Sequence, residues 1–223
     1  MKYSNVLFDL DGTLTDSKKG ILNSVHYALA KFSIVENDTE ALVRFIGPPL
    51  YDTFRESYGL SDSDAKLAVE YYREYFADTG IYENELYPDM SDILEDLAGR
   101  DICMMIATSK PTLFADRIAA HFNIKKYFRL IRGANMDGTM SEKSEIIAFL
   151  MESESLAHDG TIMVGDRKHD IIGARKNGID SAGVGYGYGS HEEMKEAKPT
   201  YLFRTVGDLR AFFCDAGPIG PEA

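Results

Sequence analysis

The sequence predicts an α/β protein in which a doubly wound, Rossmann-like parallel sheet forms the core and an all-helical domain is inserted. Two observations carry this prediction. The apolar run Val6-Leu7-Phe8 suits a strand covered on both faces, and Gly12 just beyond it gives the backbone freedom to turn. From Tyr87 onward, short apolar runs alternate with amphipathic segments, which is typical of a parallel sheet with helices on both faces.

The inserted segment contains helical patterns and no strand pattern. Apolar residues recur at helical spacing over residues 16–32, and further helices are expected over 38–45, from Pro49 to about residue 58, and over 61–77. Gly80 is expected to end the last of these helices. We therefore assign residues 1–16 and 86–223 to a discontinuous core and residues 17–85 to a helical cap domain.

The rest of the core is predicted from the alternation of strands and helices. Strands are expected over 102–107, 129–132, 161–164, 181–184 and 201–203. Helices are expected to start near Asp89, Thr112, Ser144, Asp170, Ser190 and Val206. Residues 215–223, with two prolines and two glycines, are expected to be loose.

Charge and composition restrict the class of partner. The chain of 223 residues has 24 basic and 36 acidic side chains, a net charge of −12, so nucleic acid is not expected as a partner. A small phosphorylated metabolite is compatible with this charge, because salt screens the global field beyond about 10 Å. Two cysteines are too few for a disulfide framework, and no apolar run suggests a signal peptide or membrane span. A cytoplasmic monomer or homodimer is expected.

Asp9 and Asp11 follow the first predicted strand with one residue between them. Two carboxylates this close repel one another unless they share a cation or a proton. Magnesium, which binds one or two protein carboxylates together with a substrate phosphate, fits this spacing. The alternative is a strand that simply ends in an Asp-Gly turn.

Other predicted strand ends also bear polar side chains. Thr108 and Ser109 precede a predicted helix and suit phosphate binding, although such residues are often only helix caps. Asp166 and Asp170, four residues apart, can face one side of a helix and complete a metal shell, unless Asp170 merely caps that helix. Lys143 opens another helix and would place a charge against a phosphate oxygen, but a lone lysine is usually solvated.

Taken together and in this order, these motifs resemble the haloacid dehalogenase-type hydrolase superfamily, over residues 6 to about 210. The helical insertion is similar to the cap domain of its phosphoglycolate phosphatase-like branch. The stretches 45–50 and 107–111 further resemble a subgroup described either as phosphoglycolate phosphatase or as 5′-nucleotidase.

The resemblance implies a covalent mechanism. Asp9 would attack phosphorus to form an aspartyl-phosphate, and Asp11 would act first as acid and then as base. Mg²⁺ would be held by Asp9, the main-chain carbonyl of Asp11 and Asp166, with Asp170 orienting its waters.

The resemblance also implies where the substrate is held. Phosphoryl oxygens would be bound by Thr108, Lys143 and main-chain N–H groups near Gly12 and Ser109. In the cap, three residues are candidates for substrate specificity: Lys19, Arg44 and Gly47. Lys19 and Arg44 are as readily explained as solvated surface residues.

The function predicted first is a phosphoglycolate phosphatase-like phosphomonoesterase, and the alternative is a 5′-nucleotidase. A pyrophosphatase, a sugar phosphomutase and a catalytically dormant binding protein are further alternatives. The glycines spaced over residues 183–189 are predicted to form a plain loop, because they lack the strand-turn-helix context of a dinucleotide-binding motif.

Overall fold

The computed structural model describes residues 2–214, so the expected loose tail at 215–223 lies outside the described residues. Within them the chain forms two compact units. One comprises residues 2–15 and 86–214 and is called the core unit. The other, Asp16–Glu85, is called the helical unit. No helix of the described chain is both long and apolar enough to cross a membrane.

The core unit contains a six-stranded parallel sheet. The strands of the described chain are β1 (Asn5–Phe8), β2 (Thr15–Asp16), β3 (Glu85–Leu86), β4 (Cys103–Pro111), β5 (Phe128–Ala134), β6 (Thr161–Gly165), β7 (Asp180–Val184) and β8 (Tyr201–Phe203). The sheet has the order β5-β4-β1-β6-β7-β8, and each neighbouring pair is parallel. From β1, the chain adds β4 and β5 on one side of the sheet and then β6, β7 and β8 on the other. The predicted doubly wound fold is therefore confirmed.

Helices connect the strands and form the second unit. Those of the helical unit are α1 (Lys18–Lys31), α2 (Thr39–Val43), α3 (Leu50–Tyr58) and α4 (Asp62–Asp78). Those of the core unit are α5 (Met90–Ala98), α6 (Thr112–His121), α7 (Lys143–Ser153), α8 (Lys168–Lys176), α9 (His191–Ala197) and α10 (Val206–Cys214).

β1 is buried on both faces, as its continuous apolar sequence predicts. Side chains alternate along a strand, so Val6 and Phe8 point to one face and Leu7 to the other, yet none of the three is exposed. Leu7 belongs to a core cluster that includes Met105 of β4, Met163 of β6 and apolar residues of α7 and α8. This burial holds the end of β1 in a fixed position.

The helical unit corrects one prediction. The Ser61 hydroxyl accepts a hydrogen bond from the Asp64 amide and caps α4. Gly80 does not end that helix, however, since α4 ends at Asp78 and Gly80 begins a 3₁₀ turn. A Cβ at Gly80 would lie 2.6 Å from the Ser24 hydroxyl of α1, so this glycine permits close packing.

The short strands β2 and β3 were not predicted. They form a two-stranded sheet where the chain passes between the two units. Each has only two residues, which is too short for periodicity to identify a strand.

Candidate active site

The register of the sheet brings three strand ends to the same edge. Phe8 of β1 is paired with Ile106 on one side and with Val164 on the other. Asp9 follows Phe8 directly, and Asp166 lies two residues beyond Val164. The carboxyl ends of the central strands of a doubly wound sheet are where ligands bind, so the first chemistry-bearing residues stand at the expected edge.

Asp9, Asp166 and Asp170 form a buried acidic cluster. Each offers a carboxylate oxygen, and these oxygens lie within 4.8 Å of one another. Lys143 Nζ lies 2.8 Å from Oδ1 of Asp9 and 2.8 Å from Oδ1 of Asp170, and it donates a hydrogen bond of 2.8 Å to the Ala107 carbonyl. Lys143 is thus buried among carboxylates, not solvated.

The charges in this cluster do not balance within the protein. Burial raises the pKa of Asp9 to about 6, although the charge of Lys143 acts in the opposite direction. Burial also raises the pKa of Asp166 well above its ordinary value, and the charges of Asp9 and Asp170 add to this. Burial alone would lower the pKa of Lys143, but the two carboxylates beside it outweigh burial and raise it.

A divalent cation would remove this excess of negative charge. Three ionised carboxylates against one ammonium leave two uncompensated charges in a site with almost no solvent access, which is costly without a counterion. Carboxylate oxygens are the ligands that Mg²⁺ and related hard cations prefer. The residues present therefore fit a divalent metal site.

Asp170 fills two roles that the sequence left as alternatives. Its Oδ2 accepts a hydrogen bond of 3.0 Å from the Arg167 amide and so caps the start of α8. Its Oδ1 faces Lys143 in the acidic cluster. The hydrogen bond that caps α8 also fixes the Asp170 carboxylate in the acidic cluster. Asp170 is therefore both a helix cap and a candidate member of the metal site.

Asp11 is paired with Lys110, for which the sequence predicts no role. Lys110 Nζ lies 2.9 Å from Oδ2 of Asp11, and both side chains are buried. Oδ1 of Asp11 is also buried and has no hydrogen-bond partner within residues 2–214. Two sequence signals could have pointed to Lys110: its place directly after the Thr108-Ser109 hydroxyl pair, and its position in the stretch 107–111 that resembles a phosphatase subgroup.

Thr108 and Ser109 lie in a different local structure from the one predicted. β4 continues through Pro111, where it pairs with Ala134 of β5 after a shift in register, and α6 begins only at Thr112. The helix start expected near Thr112 is confirmed, whereas the strand expected over 102–107 is longer than predicted and contains both Thr108 and Ser109. Thr108 is buried and its hydroxyl accepts from the Lys110 amide, while the Ser109 hydroxyl donates to the Ser141 carbonyl.

The glycine-rich segment after β7 contributes to the site, so the prediction of a plain loop understated it. The Tyr188 amide donates a hydrogen bond of 2.7 Å to Oδ2 of Asp166. A Cβ at Gly187 would collide with the Gly12 carbonyl and the Asp166 side chain. Gly12 itself has φ +82°, and a Cβ there would collide with Oδ2 of Asp166. Only glycines allow these backbones to close around Asp166.

The candidate specificity residues belong to the helical unit and not to this cluster. Lys19 and Arg44 are exposed, and Gly47 has φ +105° in the loop before α3. Their roles in substrate binding stay predictions.

Comparison with known proteins identifies the family. Residues 6–184 match the haloacid dehalogenase-like hydrolase family. A 5′-nucleotidase of Pseudomonas aeruginosa is 46% identical over 94% of this chain and 95% of that protein. A predicted phosphatase from Clostridium acetobutylicum has a crystal structure that superimposes with a TM-score of 0.92, at 43% identity, covering 97% of this chain and all of that one.

More distant relatives have other activities. Tyrosine-protein kinase PtkA of Mycobacterium tuberculosis is 35% identical over 92% of this chain and 70% of that protein. Phosphoglycolate phosphatase 1 of Pseudomonas aeruginosa is 27% identical over 92% of this chain and 77% of that protein. The chain belongs to the haloacid dehalogenase-like hydrolase family, and its relatives and structural neighbours identify it as a phosphatase of that family.

Proposed function

We propose that the protein is a Mg²⁺-dependent phosphomonoesterase that hydrolyses nucleoside 5′-monophosphates through an aspartyl-phosphate on Asp9. The observation that carries the proposal is the buried cluster of Asp9, Asp166 and Asp170 around Lys143 at the carboxyl edge of the sheet. When bound, Mg²⁺ held by these carboxylates and the main-chain carbonyl of Asp11 would neutralise charge that otherwise separates an anionic phosphate from an anionic nucleophile.

In the first half of the reaction, Asp9 acts as the nucleophile. Its Oδ1 is held by Lys143 and by the Leu10 amide at 2.7 Å, which fixes the orientation of the carboxylate. The carboxylate attacks phosphorus, a carboxyl O–P bond forms, and the P–O bond to the nucleoside breaks. Asp11 gives its proton to the departing alkoxide.

In the second half, Asp11 acts as a base. It takes a proton from water, the resulting hydroxide attacks phosphorus, and the carboxyl O–P bond breaks to release phosphate and restore Asp9. Lys110 holds Oδ2 of Asp11, so it positions the group that moves protons in both halves. Thr108, Lys143 and main-chain N–H groups near Gly12 and Ser109 would bind the phosphoryl oxygens.

The choice of substrate rests on the relatives. The sequence motifs alone predict a phosphoglycolate phosphatase-like enzyme first, with a 5′-nucleotidase as the alternative. The relative named 5′-nucleotidase is 46% identical over nearly its whole length, whereas the phosphoglycolate phosphatase is 27% identical. This difference supports nucleoside 5′-monophosphates as the substrate class.

The experiment is a measurement of phosphate release with Mg²⁺ from nucleoside 5′-monophosphates, 2-phosphoglycolate, pyrophosphate and hexose phosphates. Asp9→Asn serves as the blank. We expect a nucleoside monophosphate to exceed 2-phosphoglycolate by about a hundredfold in kcat/KM, equal to about 2.7 kcal/mol. Preference for 2-phosphoglycolate would overturn the substrate class, and turnover no faster than the blank would overturn the phosphatase itself.

A further inference from the structure

The helical unit contains a pocket of its own, at the surface between α1 and residues 82–85. Its volume is about 610 Å³. This lies within the range of roughly 300–1,000 Å³ that is common for small-molecule sites. All the residues that line it belong to the helical unit. We call it the α1 pocket, and none of the three acidic-cluster residues lines it.

The walls of the α1 pocket are fixed to one another. The Gly20 amide of α1 donates a hydrogen bond of 3.0 Å to the Glu83 carbonyl. The Glu83 carboxylate accepts hydrogen bonds from Asn23 at 2.9 Å and from the Tyr75 hydroxyl at 3.3 Å. A Cβ at Gly20 would collide with the Gly80 carbonyl, so the two backbones pack directly. The pocket is therefore formed before any ligand binds.

Asn84 lines this pocket and lacks the partners that a buried amide normally has. It is only 8% exposed. Neither its Oδ1 nor its Nδ2 has a hydrogen-bond partner among the described residues, and both atoms are themselves buried, so a ligand in the pocket reaches them when the side chain turns outward. Buried side-chain amides are nearly always hydrogen-bonded. An acceptor beside a donor on one planar group is the complement of a nucleobase edge, which carries a donor beside an acceptor.

The other lining residues fit the rest of a nucleotide. The ring of Tyr82 is 50% exposed, and an exposed aromatic face is a platform on which a base stacks. Lys19 and His26, both exposed, line the pocket from α1 and offer positive charge or hydrogen bonds to a phosphate or ribose.

We propose that the α1 pocket binds a nucleobase, with the edge of the base on the Asn84 amide and its face on Tyr82. The choice of a nucleotide over other amide-like ligands rests on the proposed function. Binding of a nucleobase requires no catalysis. An experiment can therefore reject nucleobase binding without rejecting the phosphatase activity, and the reverse.

The test is isothermal titration calorimetry on the full chain with free nucleosides: uridine, cytidine, adenosine and guanosine. These probes carry no phosphate, so they report on base binding even if no ester is hydrolysed. We expect at least one nucleoside to bind and ribose not to bind. Tyr82→Ala, which removes a half-exposed ring, and Asn84→Asp, which preserves side-chain shape but removes the amide donor, should each weaken binding at least tenfold.

Asn37→Asp is the matched control for Asn84→Asp, because Asn37 is an exposed amide of the same unit outside the pocket, and this variant should bind nucleosides like the unchanged chain. If the base belongs to the substrate, Asn84→Asp also lowers kcat/KM for the nucleotide relative to p-nitrophenyl phosphate. If it belongs to a separate ligand, binding is lost and that ratio stays constant. Absence of binding by every nucleoside, or equal binding by Asn84→Asp, Tyr82→Ala and the unchanged chain, would overturn the proposal.

Discussion

Lys143 Nζ lies 2.8 Å from Oδ1 of Asp9, and the same atom lies 2.8 Å from Oδ1 of Asp170. One buried ammonium therefore compensates two carboxylates. Lys143→Met removes the ammonium and leaves those charges uncompensated, which costs about 3–5 kcal/mol for buried pairs. We expect a loss of that size in the free energy of unfolding, measured by urea denaturation in metal-free buffer at neutral pH.

A second substitution separates charge from packing in this experiment. Asp170→Asn removes one of the negative charges that Lys143→Met exposes, so the double variant should lose less stability than the sum of the two single variants. Additive losses would mean that Lys143 stabilises the core unit by packing alone.

Metal binding should stabilise the fold through the acidic cluster. A ligand that binds only the folded state at 100 times its Kd adds about 2.7 kcal/mol. Titration with Mg²⁺ should raise Tm, and Asp166→Asn should abolish the increase, because it removes one of the three clustered carboxylates. Asp116→Asn is the control, since Asp116 is an exposed partner of Lys125. A Tm increase that survives Asp166→Asn would place the metal elsewhere.

Features of the core that depend on residues adjacent in the chain could be predicted from the sequence. The run Val6 to Phe8 is apolar throughout, so it indicates a strand buried on both faces without knowledge of its partners. Asp9 and Asp166 could be placed at one edge because parallel strands end together. Their clustering with Asp170 is the part of the site that the structure brings together as expected.

Features that depend on residues distant in the chain could not be predicted. The pairing of Lys110 with Asp11 arises only when separate strand ends meet. The family resemblance predicts Lys143 in the site, but not its burial between the carboxylates of Asp9 and Asp170. The extension of β4 through Pro111 depends on pairing with β5, so the apolar run that ends at Ala107 indicates too short a strand. The glycine segment at 183–189 likewise gains its role from packing on Asp166.

The Lys110–Asp11 pair should matter most for substrates with poor leaving groups. In the proposed mechanism Asp11 protonates the alkoxide, and Lys110 Nζ, which lies 2.9 Å from Oδ2 of Asp11, would hold that carboxyl group in position. Lys110→Met should lower kcat by about tenfold or more for a nucleoside monophosphate, which is a part of the roughly 10²–10⁴-fold that acid–base catalysis contributes. p-Nitrophenolate needs little protonation, so kcat for p-nitrophenyl phosphate should fall less. An equal loss for both esters would mean that Lys110 binds the phosphoryl group.

Asp180 should make stability depend on pH, far from the acidic cluster. Burial alone would raise the pKa of Asp180, but hydrogen bonds from Lys2 and from the Tyr3 hydroxyl at 2.6 Å outweigh it and lower the pKa below 3.8. A depressed folded-state pKa adds stability above the unfolded value of 3.8, and that stability is lost as pH falls through the folded value.

Asp180→Ala should therefore cost about 1–3 kcal/mol at about pH 6, since the buried Tyr3 hydroxyl loses a charged acceptor. The difference from the unchanged chain should shrink below pH 3.8, measured by urea unfolding at a series of pH values. Asp116→Ala should cost less, because surface ion pairs contribute about 0–1 kcal/mol. If the difference in unfolding free energy between Asp180→Ala and the unchanged chain did not change with pH, the loss of stability would be due to packing and not to the charge of Asp180.

Gly12 and Gly138 provide a matched pair that separates backbone strain from obstruction of the site. Gly12 has φ +82° and Gly138 has φ +87°, so alanine is strained to a similar extent at either position, by about 1–2 kcal/mol. A Cβ at Gly12 would collide with Oδ2 of Asp166, whereas one at Gly138 meets nothing within 4 Å.

Backbone strain should lower the free energy of unfolding by a similar amount in both variants. Gly12→Ala should lose further stability, because its Cβ forces Asp166 to move. Only Gly12→Ala should lose Mg²⁺-dependent phosphate release, by about a hundredfold, as expected when catalytic groups shift by about 1 Å. Equal activity in the two variants would show that Asp166 need not hold the position it has here.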